Sequence, residues 1–322
     1  MLENPEEKLA ARVIEKHKIT PPFDLVALTK NYAIVEEIDI PWDIDGITLY
    51  LKVSGKRPKI FINENAARRR KRFTLAHELG HVIIPWHVGN IVDTTVFSGR
   101  DAEYNSYESE ANKFAAELLM PSSWVNTLLG MFDSPADIFE HIIKIADVSP
   151  SAACIKMITS LPPGYIYAEV NNSFDVINSG RSKNTVVYEQ SVDTNVSNYN
   201  EIYRYGHAYR ISIDGYNYIW WKLDLVECPH IDDDREWREI LDSIVEDVVI
   251  GSTKWQHFKQ RLNGFLAAAN DKVKGDNRTK DAVYTACLQK LSDQQLFDEF
   301  RSHKDFKVFL NKRVEAFLIG KK

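Results

Sequence analysis

The sequence predicts an α+β protein with more than one domain, and three observations predict it. Apolar residues recur at helical spacing through Phe73–His81 and again through Glu108–Met120. Before them, Ile47, Leu49, Leu51 and Val53 alternate with Thr48, Tyr50 and Lys52, the period-2 pattern of a strand with two different faces. After Pro162-Pro163-Gly164 the pattern turns strand-like, and beyond residue 231 it returns to helical. Expected boundaries are therefore 1–160, with a helical part over about 123–160, then a β-rich stretch 161–230 and a helical region 231–322.

The 322 residues are 44% hydrophobic and 27% charged, an ordinary globular balance. A net charge of -6 argues against a nucleic-acid binder acting through its whole surface. No stretch reaches the roughly 18 uninterrupted apolar residues that a membrane span needs. The acidic start Met1-Leu-Glu-Asn-Pro-Glu-Glu-Lys8 does not suit a secretory signal. A cytoplasmic protein with no membrane partner is expected. Cys154, Cys228 and Cys287 lie far apart and form no disulfide framework, and Cys228-Pro-His230 reads as incidental rather than as a metal site.

Taken in order, residues 5–18 read as an amphipathic helix with Leu9, Val13 and Ile14 on one side. Pro21-Pro22-Phe23-Asp24 breaks it, and Asp24 is placed to cap a helix over Leu25–Tyr32. Strands are expected at Ala33–Ile38, Gly46–Val53 and Lys59–Asn63. Such a sheet either receives an extended peptide at an edge or simply backs the next helix. Arg68-Arg-Arg-Lys-Arg72 resembles a nucleic-acid patch when read alone. As the first turns of a helix, these residues spread around the cylinder into a solvated or substrate-facing surface.

That helix carries His77-Glu-Leu-Gly-His81, the H-E-x-x-H pattern. His77 and His81 lie one turn apart on one face and can present imidazole nitrogens to one metal ion. Glu78 adjoins the first ligand, near enough to act as a base without being a ligand. Leu75, Leu79 and Val82 supply packing surface, Gly80 leaves room for another element, and Pro85 ends the helix.

A catalytic zinc site takes three protein ligands, so a third is required. The downstream helix offers Glu108 and Glu110, about 200° apart on a helix, so only one can face the metal. Glu108 is expected, because Asn112 at i+4 can accept a hydrogen bond from the far nitrogen of a ligand His and fix its tautomer. Glu110, the alternative, has Phe114 at i+4 and no such polar companion.

Arg72-Phe-Thr-Leu-Ala-His-Glu-Leu-Gly-His81, with Glu108-x-Glu-Ala-Asn-x-Phe-Ala-Ala-Glu-Leu-Leu-Met-Pro121, resembles the ImmA/IrrE family of metallo-endopeptidases. The resemblance covers roughly residues 8–160. It implies an N-terminal zincin-like metallopeptidase domain with a small sheet and a helical subdomain. It also implies a gluzincin-like site with His77, His81 and Glu108 on zinc and Glu78 as general base. Manganese also suits two His and one carboxylate. The family cleaves a cognate helix-turn-helix repressor after stress or induction of a mobile element, so the resemblance implies a repressor as protein substrate.

The loop from Pro85 to Ala102 contains His87, Asp93, Arg100 and Asp101 and is long enough to line a cleft. His87, Tyr104, Tyr107 and His141 are candidate donors to a developing oxyanion, with no spacing rule to choose among them. Asp147–Lys156 looks like the turn and second helix of a helix-turn-helix. With Lys156 its only base, a packing unit is expected rather than a DNA reader.

Strands are then expected at Tyr165–Val170, Thr185–Tyr188, Ala208–Ile213 and Tyr216–Trp221, with Asp214-Gly215 as a hairpin turn and the aromatics as core. An acidic block spans Asp232–Glu239, whereas the tail from Lys254 has fifteen Lys and Arg against eight Asp and Glu, dispersed as on a solvated helical face. No chemical motif appears beyond residue 122. The sequence thus points to a zinc-dependent endopeptidase acting on a protein. The alternative is a metal-stabilised regulatory protein that binds a partner without cutting it, with the β-rich stretch as its sensing or partner-binding surface.

Overall fold

The computed structural model describes residues 4–41, 44–94, 102–249, 251, 254–275 and 278–320. The chain divides into two compact units, Met1–Ser160 and Leu161–Lys322. The fold is α+β, as the sequence predicts. No helix among the described residues is long and apolar enough to cross a membrane.

The first unit begins with α1 (Pro5–His17), capped by Asn4 and Glu7 acting reciprocally, and α2 (Leu25–Thr29). Asp24 caps α2 by accepting a hydrogen bond from the Ala27 amide at 2.9 Å. α2 stops three residues short of the expected Tyr32.

Strands β1 (Ile34–Ile38), β2 (Ile44–Leu51), β3 (Lys59–Asn63) and β4 (Gly89–Thr94) form a sheet in the order β1-β3-β2-β4. β1 runs parallel to β3, and β2 is antiparallel to both β3 and β4. The buried positions on the middle of β2 are Gly46 and Thr48, not its apolar neighbours Ile47 and Leu49. A register shift against β4 between Thr48 and Leu51 then brings Leu51 into the core, with Tyr50 at φ 62° and Lys52 at φ 55°. The expected alternation therefore fails beyond Leu49, and the strand ends before Lys52.

Helix α3 (Arg68–Ile83) lies on this sheet and ends just before Pro85. Its last carbonyls would otherwise lack partners. Lys52 Nζ, arriving from the end of β2, donates to His81 O at 2.7 Å and Val82 O at 3.0 Å.

The basic run at the start of α3 is solvated at Arg68 and Arg70, as expected, and each of its five cations also has a partner within the unit. Arg68 and Arg69 pair with Asp147, Arg70 with Asp45 and Lys71 with Glu37, while Arg72 donates to Ala146 O at 3.0 Å and lies over the Phe23 ring. Spread around the cylinder, the five cations tie α3 to four other segments of the unit.

α4 (Ala102–Leu119) packs across α3. A Cβ at Gly80 would stand 3.1 Å from Phe114 Cδ1 and 3.3 Å from Ala111 Cα, so glycine permits this approach. α5 (Ser122–Leu128), α6 (Pro135–Ala146) and α7 (Pro150–Ser160) complete the unit, with Ser134 capping α6. In the helix-turn-helix-like pair α6–α7, Lys156 is buried and bonds Glu117 at 2.5 Å and Ser122 Oγ at 2.9 Å. The base that the sequence offered to DNA is thus a packing device.

In the second unit, β5 (Tyr165–Val170), β6 (Val176–Arg181), β7 (Gly206–Ile213) and β8 (Tyr216–Leu223) form an antiparallel sheet in the order β6-β5-β8-β7. Asp214 at φ 53° and Gly215 at φ 83° form the β7–β8 turn, the positive-φ pair that a two-residue hairpin requires. The strand expected at Thr185–Tyr188 is absent. Val186 and Val187 are buried but unladdered, and Val176–Arg181 pairs with β5 instead. α8 (Trp237–Val248), α9 (Trp255–Lys272), α10 (Lys280–Ser292), α11 (Asp298–Ser302) and α12 (Phe306–Ile319) share one core with the sheet, in which Ile166, Ile219 and Trp221 meet Ile244, Leu262, Cys287 and Phe309.

Candidate active site

Helix α3 presents His77 and His81 from successive turns, with their Nε2 atoms 3.0 Å apart. Glu108 reaches the same point from α4, its Oε2 3.1 Å from His77 Nε2 and its Oε1 3.7 Å from His81 Nε2. Among the described residues, the one group of three or more His, Cys, Asp or Glu side chains with every ligand atom within 4.8 Å of the others is His77, His81 and Glu108. Cys228 and His230 join no such group.

The far side of each imidazole is held as well. His77 Nδ1 donates to Asn112 Oδ1 at 3.0 Å, which turns its Nε2 toward the Glu108 carboxylate. His81 Nδ1 lies 2.8 Å from His87 Nδ1. Burial, reinforced by His77, His87 and Lys52, holds the His81 pKa well below the usual histidine value, so its ring stays neutral. Burial also lowers His87, opposed by its hydrogen bond to Glu110.

These residues fit a metal ion. Glu108 Oε1 is buried without a hydrogen-bond partner, an expensive arrangement for a carboxylate oxygen. Two imidazoles and a carboxylate converge on one point, a donor set that suits a divalent cation.

Glu78, fully buried, points from the same helix toward β2, where the Thr48 hydroxyl donates to its Oε2. A Cβ at Gly46 would lie 2.5 Å from Glu78 Oε1 and 2.7 Å from Thr74 Cγ2. The strand can cross above this carboxylate only because Gly46 has no side chain. Sequence reasoning missed both Gly46 and Thr48, since a contact across 30 residues of chain leaves no local spacing to read.

Glu110 has Phe114 rather than a polar residue at i+4. It accepts from Trp86 Nε1 at 2.5 Å, from Ser106 Oγ at 3.0 Å and from His87 Nε2 at 3.1 Å. These donors hold its pKa below the usual glutamate value despite the opposing effect of burial. Of the oxyanion candidates, His87 is buried and bonded on both nitrogens, and Tyr107 lies against it with ring centroids 4.5 Å apart. His141 sits on α6 against Trp124 and Phe132. The side chains of Asp93, Arg100, Asp101 and Tyr104 lie outside the described residues. A cavity of about 490 Å³ in the second unit is walled by Gly164, Thr185, Leu223, Thr285 and Gln289, and none of the candidate site residues lines it.

An H-E-x-x-H helix crossed by a second helix bearing a carboxylate defines a metallopeptidase-type domain. Comparison with known proteins agrees: residues 42–139 match the family model for the IrrE N-terminal-like domain, Peptidase_M78. Over this domain the chain is similar to the ImmA/IrrE metallopeptidases. It is 32% identical over 139 residues to a radiation response metalloprotease IrrE of Deinococcus deserti, a match covering 39% of this chain and 47% of the relative. It is also 32% identical over 117 residues to the uncharacterized immunity region protein 2 of Bacillus phage phi105, covering 35% of this chain and 66% of that protein. A solved Mycobacterium tuberculosis transcriptional regulator aligns with a TM-score of 0.43 at 12% identity, covering 69% of this chain and 77% of that one. That likeness is too distant to bear on activity. The chain spans about half the length of the Deinococcus deserti relative, and residues beyond 139 lie outside the family model.

Proposed function

We propose that this chain is a zinc-dependent endopeptidase that cleaves a protein substrate. The observation that carries this reading is the convergence of His77 Nε2, His81 Nε2 and the Glu108 carboxylate beside Glu78. Bound there, a zinc ion supplies Lewis acidity that polarises a scissile carbonyl and acidifies water. Glu78 takes a proton from the attacking water as its oxygen bonds the carbonyl carbon. It then delivers that proton to the amide nitrogen as the C–N bond breaks, and returns to its ionised form. Thr48, donating to Glu78 Oε2, keeps the carboxylate aimed. Asn112 fixes the His77 ring, and manganese would satisfy the same donors.

The substrate we propose is a cognate helix-turn-helix repressor, in a stress-response or mobile-element setting in the cytoplasm. The printed names of the relatives, one a radiation response metalloprotease and one a phage immunity-region protein, support that setting. Among the described residues, the β-rich stretch 161–230 and the helices after it hold no such metal-ligating group, and we assign them to sensing or partner binding.

The direct test is to incubate the purified chain with the repressor-like product of a neighbouring reading frame and map any cut. Wild-type protein is expected to cut at a defined bond, and Glu78→Gln to keep its zinc and cut nothing. Full cleavage by Glu78→Gln would sink the assignment. Glu108→Ala should lose bound zinc by elemental analysis, and undiminished zinc in that variant would remove Glu108 from the site.

A further inference from the structure

The structure assigns Glu110 and His87 a positioning role: they lock His81 into the one tautomer that leaves its Nε2 free for a metal. This rests on reading His77, His81 and Glu108 as a metal centre.

The 2.8 Å bond between His81 Nδ1 and His87 Nδ1 has room for one proton, and either ring can own it. If His87 owned it, His81 would carry its other proton on Nε2, pointed at His77 and Glu108. A neutral His87 would then turn a bare Nε2 toward Glu110 Oε2, 3.1 Å away. Two acceptors facing each other inside the protein repel, and water cannot mediate at a ring that is fully buried. If His81 owns the proton, both hydrogen bonds on the Glu110 side are served, and the lone pair left on His81 Nε2 faces His77 and Glu108, where a metal ion would take it. His81 Nδ1–H donates to His87 Nδ1, His87 Nε2–H donates to Glu110 Oε2, and His81 Nε2 is left as a lone pair. Glu110, a carboxylate with no proton to give, decides between the two arrangements.

Glu110 is itself fixed, by Trp86 Nε1 and Ser106 Oγ, while the Tyr107 ring lies against His87. α4 therefore orients both imidazoles. Asn112 does so directly for His77, and Glu110 does so for His81 through an interposed ring. The interposed ring is a geometric necessity. Glu110 lies about 200° around the helix from Glu108 and faces away from the metal point, so a bridging imidazole carries its influence back. In metal sites a carboxylate commonly holds the ligand histidine directly. Here one more histidine stands between them.

The test reads tautomers and zinc affinity rather than turnover. In full-length protein labelled with ¹⁵N at histidine, long-range ¹H–¹⁵N spectra of the metal-free form should show His81 protonated on Nδ1 and bare on Nε2. His81 protonated on Nε2 would overturn the proposal without any variant, so the outcome does not depend on a mutant folding. Glu110→Leu and His87→Leu are expected to mix the His81 tautomers and to weaken zinc binding, measured by chelator competition, about 10- to 100-fold. Glu110→Gln, whose amide oxygen still accepts from His87 Nε2–H, should restore most of that loss. A folded Glu110→Leu protein with an unmixed His81 tautomer and zinc affinity within about twofold of wild type would refute the relay. Glu108→Ala should lose zinc while keeping the His81 tautomer, which separates a ligand from a positioning group. Absence of zinc binding by the wild type would instead overturn the metal-centre reading, and the metal-free spectrum would still report on the relay.

Discussion

The two units bury polar side chains for opposite ends. In the second unit several of these groups clasp backbone. Thr285 Oγ1 accepts from Val226 N at 2.8 Å and donates to Val226 O at 3.0 Å, Gln289 donates to Asp224 O, Lys290 donates to Val186 O, and Asn311 donates to Pro229 O. Each closes a loop against a helix, the usual duty of a buried polar side chain. In the first unit, the buried polar groups of α3 address other side chains: His77 to Asn112, His81 to His87 and Glu78 to Thr48. Bonds between side chains are the minority class in folded proteins, and here they run together at one point. Burial of polar atoms is thus no mark of a site by itself; what marks one is convergence on a point that leaves an acceptor, Glu108 Oε1, without a donor.

That contrast can be broken from either side. The largest effect is expected from Glu78→Gln, which removes a general base and should lower cleavage by about 100- to 10,000-fold, measured as initial rate with zinc content unchanged. Gly46→Ala should cost about 100-fold, because the new methyl group must push the Glu78 carboxylate or β2 out of place, and misplacement by an ångström has that magnitude. Equal rates for Gly46→Ala and wild type would mean that β2 yields at no cost. Thr48→Val, which keeps shape and loses the donor to Glu78, should lower the rate about tenfold, the equivalent of one net hydrogen bond. Thr285→Val is the control from the second unit. It leaves two backbone groups unpaired, so urea unfolding should report a loss of about 1–3 kcal/mol, with zinc content as in wild type. Loss of zinc in Thr285→Val would erase the distinction between clasping and converging groups.

How much of this could be read from sequence follows from the range of the interactions. His77, His81, Glu108 and Asn112 were legible because helical spacing decides which neighbours share a face, and two such helices suffice to suggest a donor set. β3 and the Asp214-Gly215 hairpin were legible for the same local reason. β6 was not: Val176-Ile-Asn-Ser-Gly-Arg181 has little strand propensity, and its pairing with β5 makes it a strand. Thr185–Tyr188 has the propensity, but its valines serve the core outside any ladder. Gly46 and Thr48 were invisible because their importance comes from the helix above them. The partners of Glu110 arrive partly from its own helix and partly from the turn at Trp86 and His87, a meeting that one-dimensional spacing does not encode.

The packing of α4 on α3 carries one more consequence, which concerns how the site can fail. Glu108, Glu110 and Asn112 engage His77, His81 and His87 from the same stretch of helix whose Ala111 and Phe114 close on Gly80. A single inserted residue after Ser109 would turn everything beyond it by about 100° relative to Glu108. Asn112 would leave His77, the old Glu110 would leave His87, and Phe114 would leave its seat beside Gly80, all in one step. Chemistry and assembly are checked by the same register, so a chain that has closed its core here has also brought its donor atoms together.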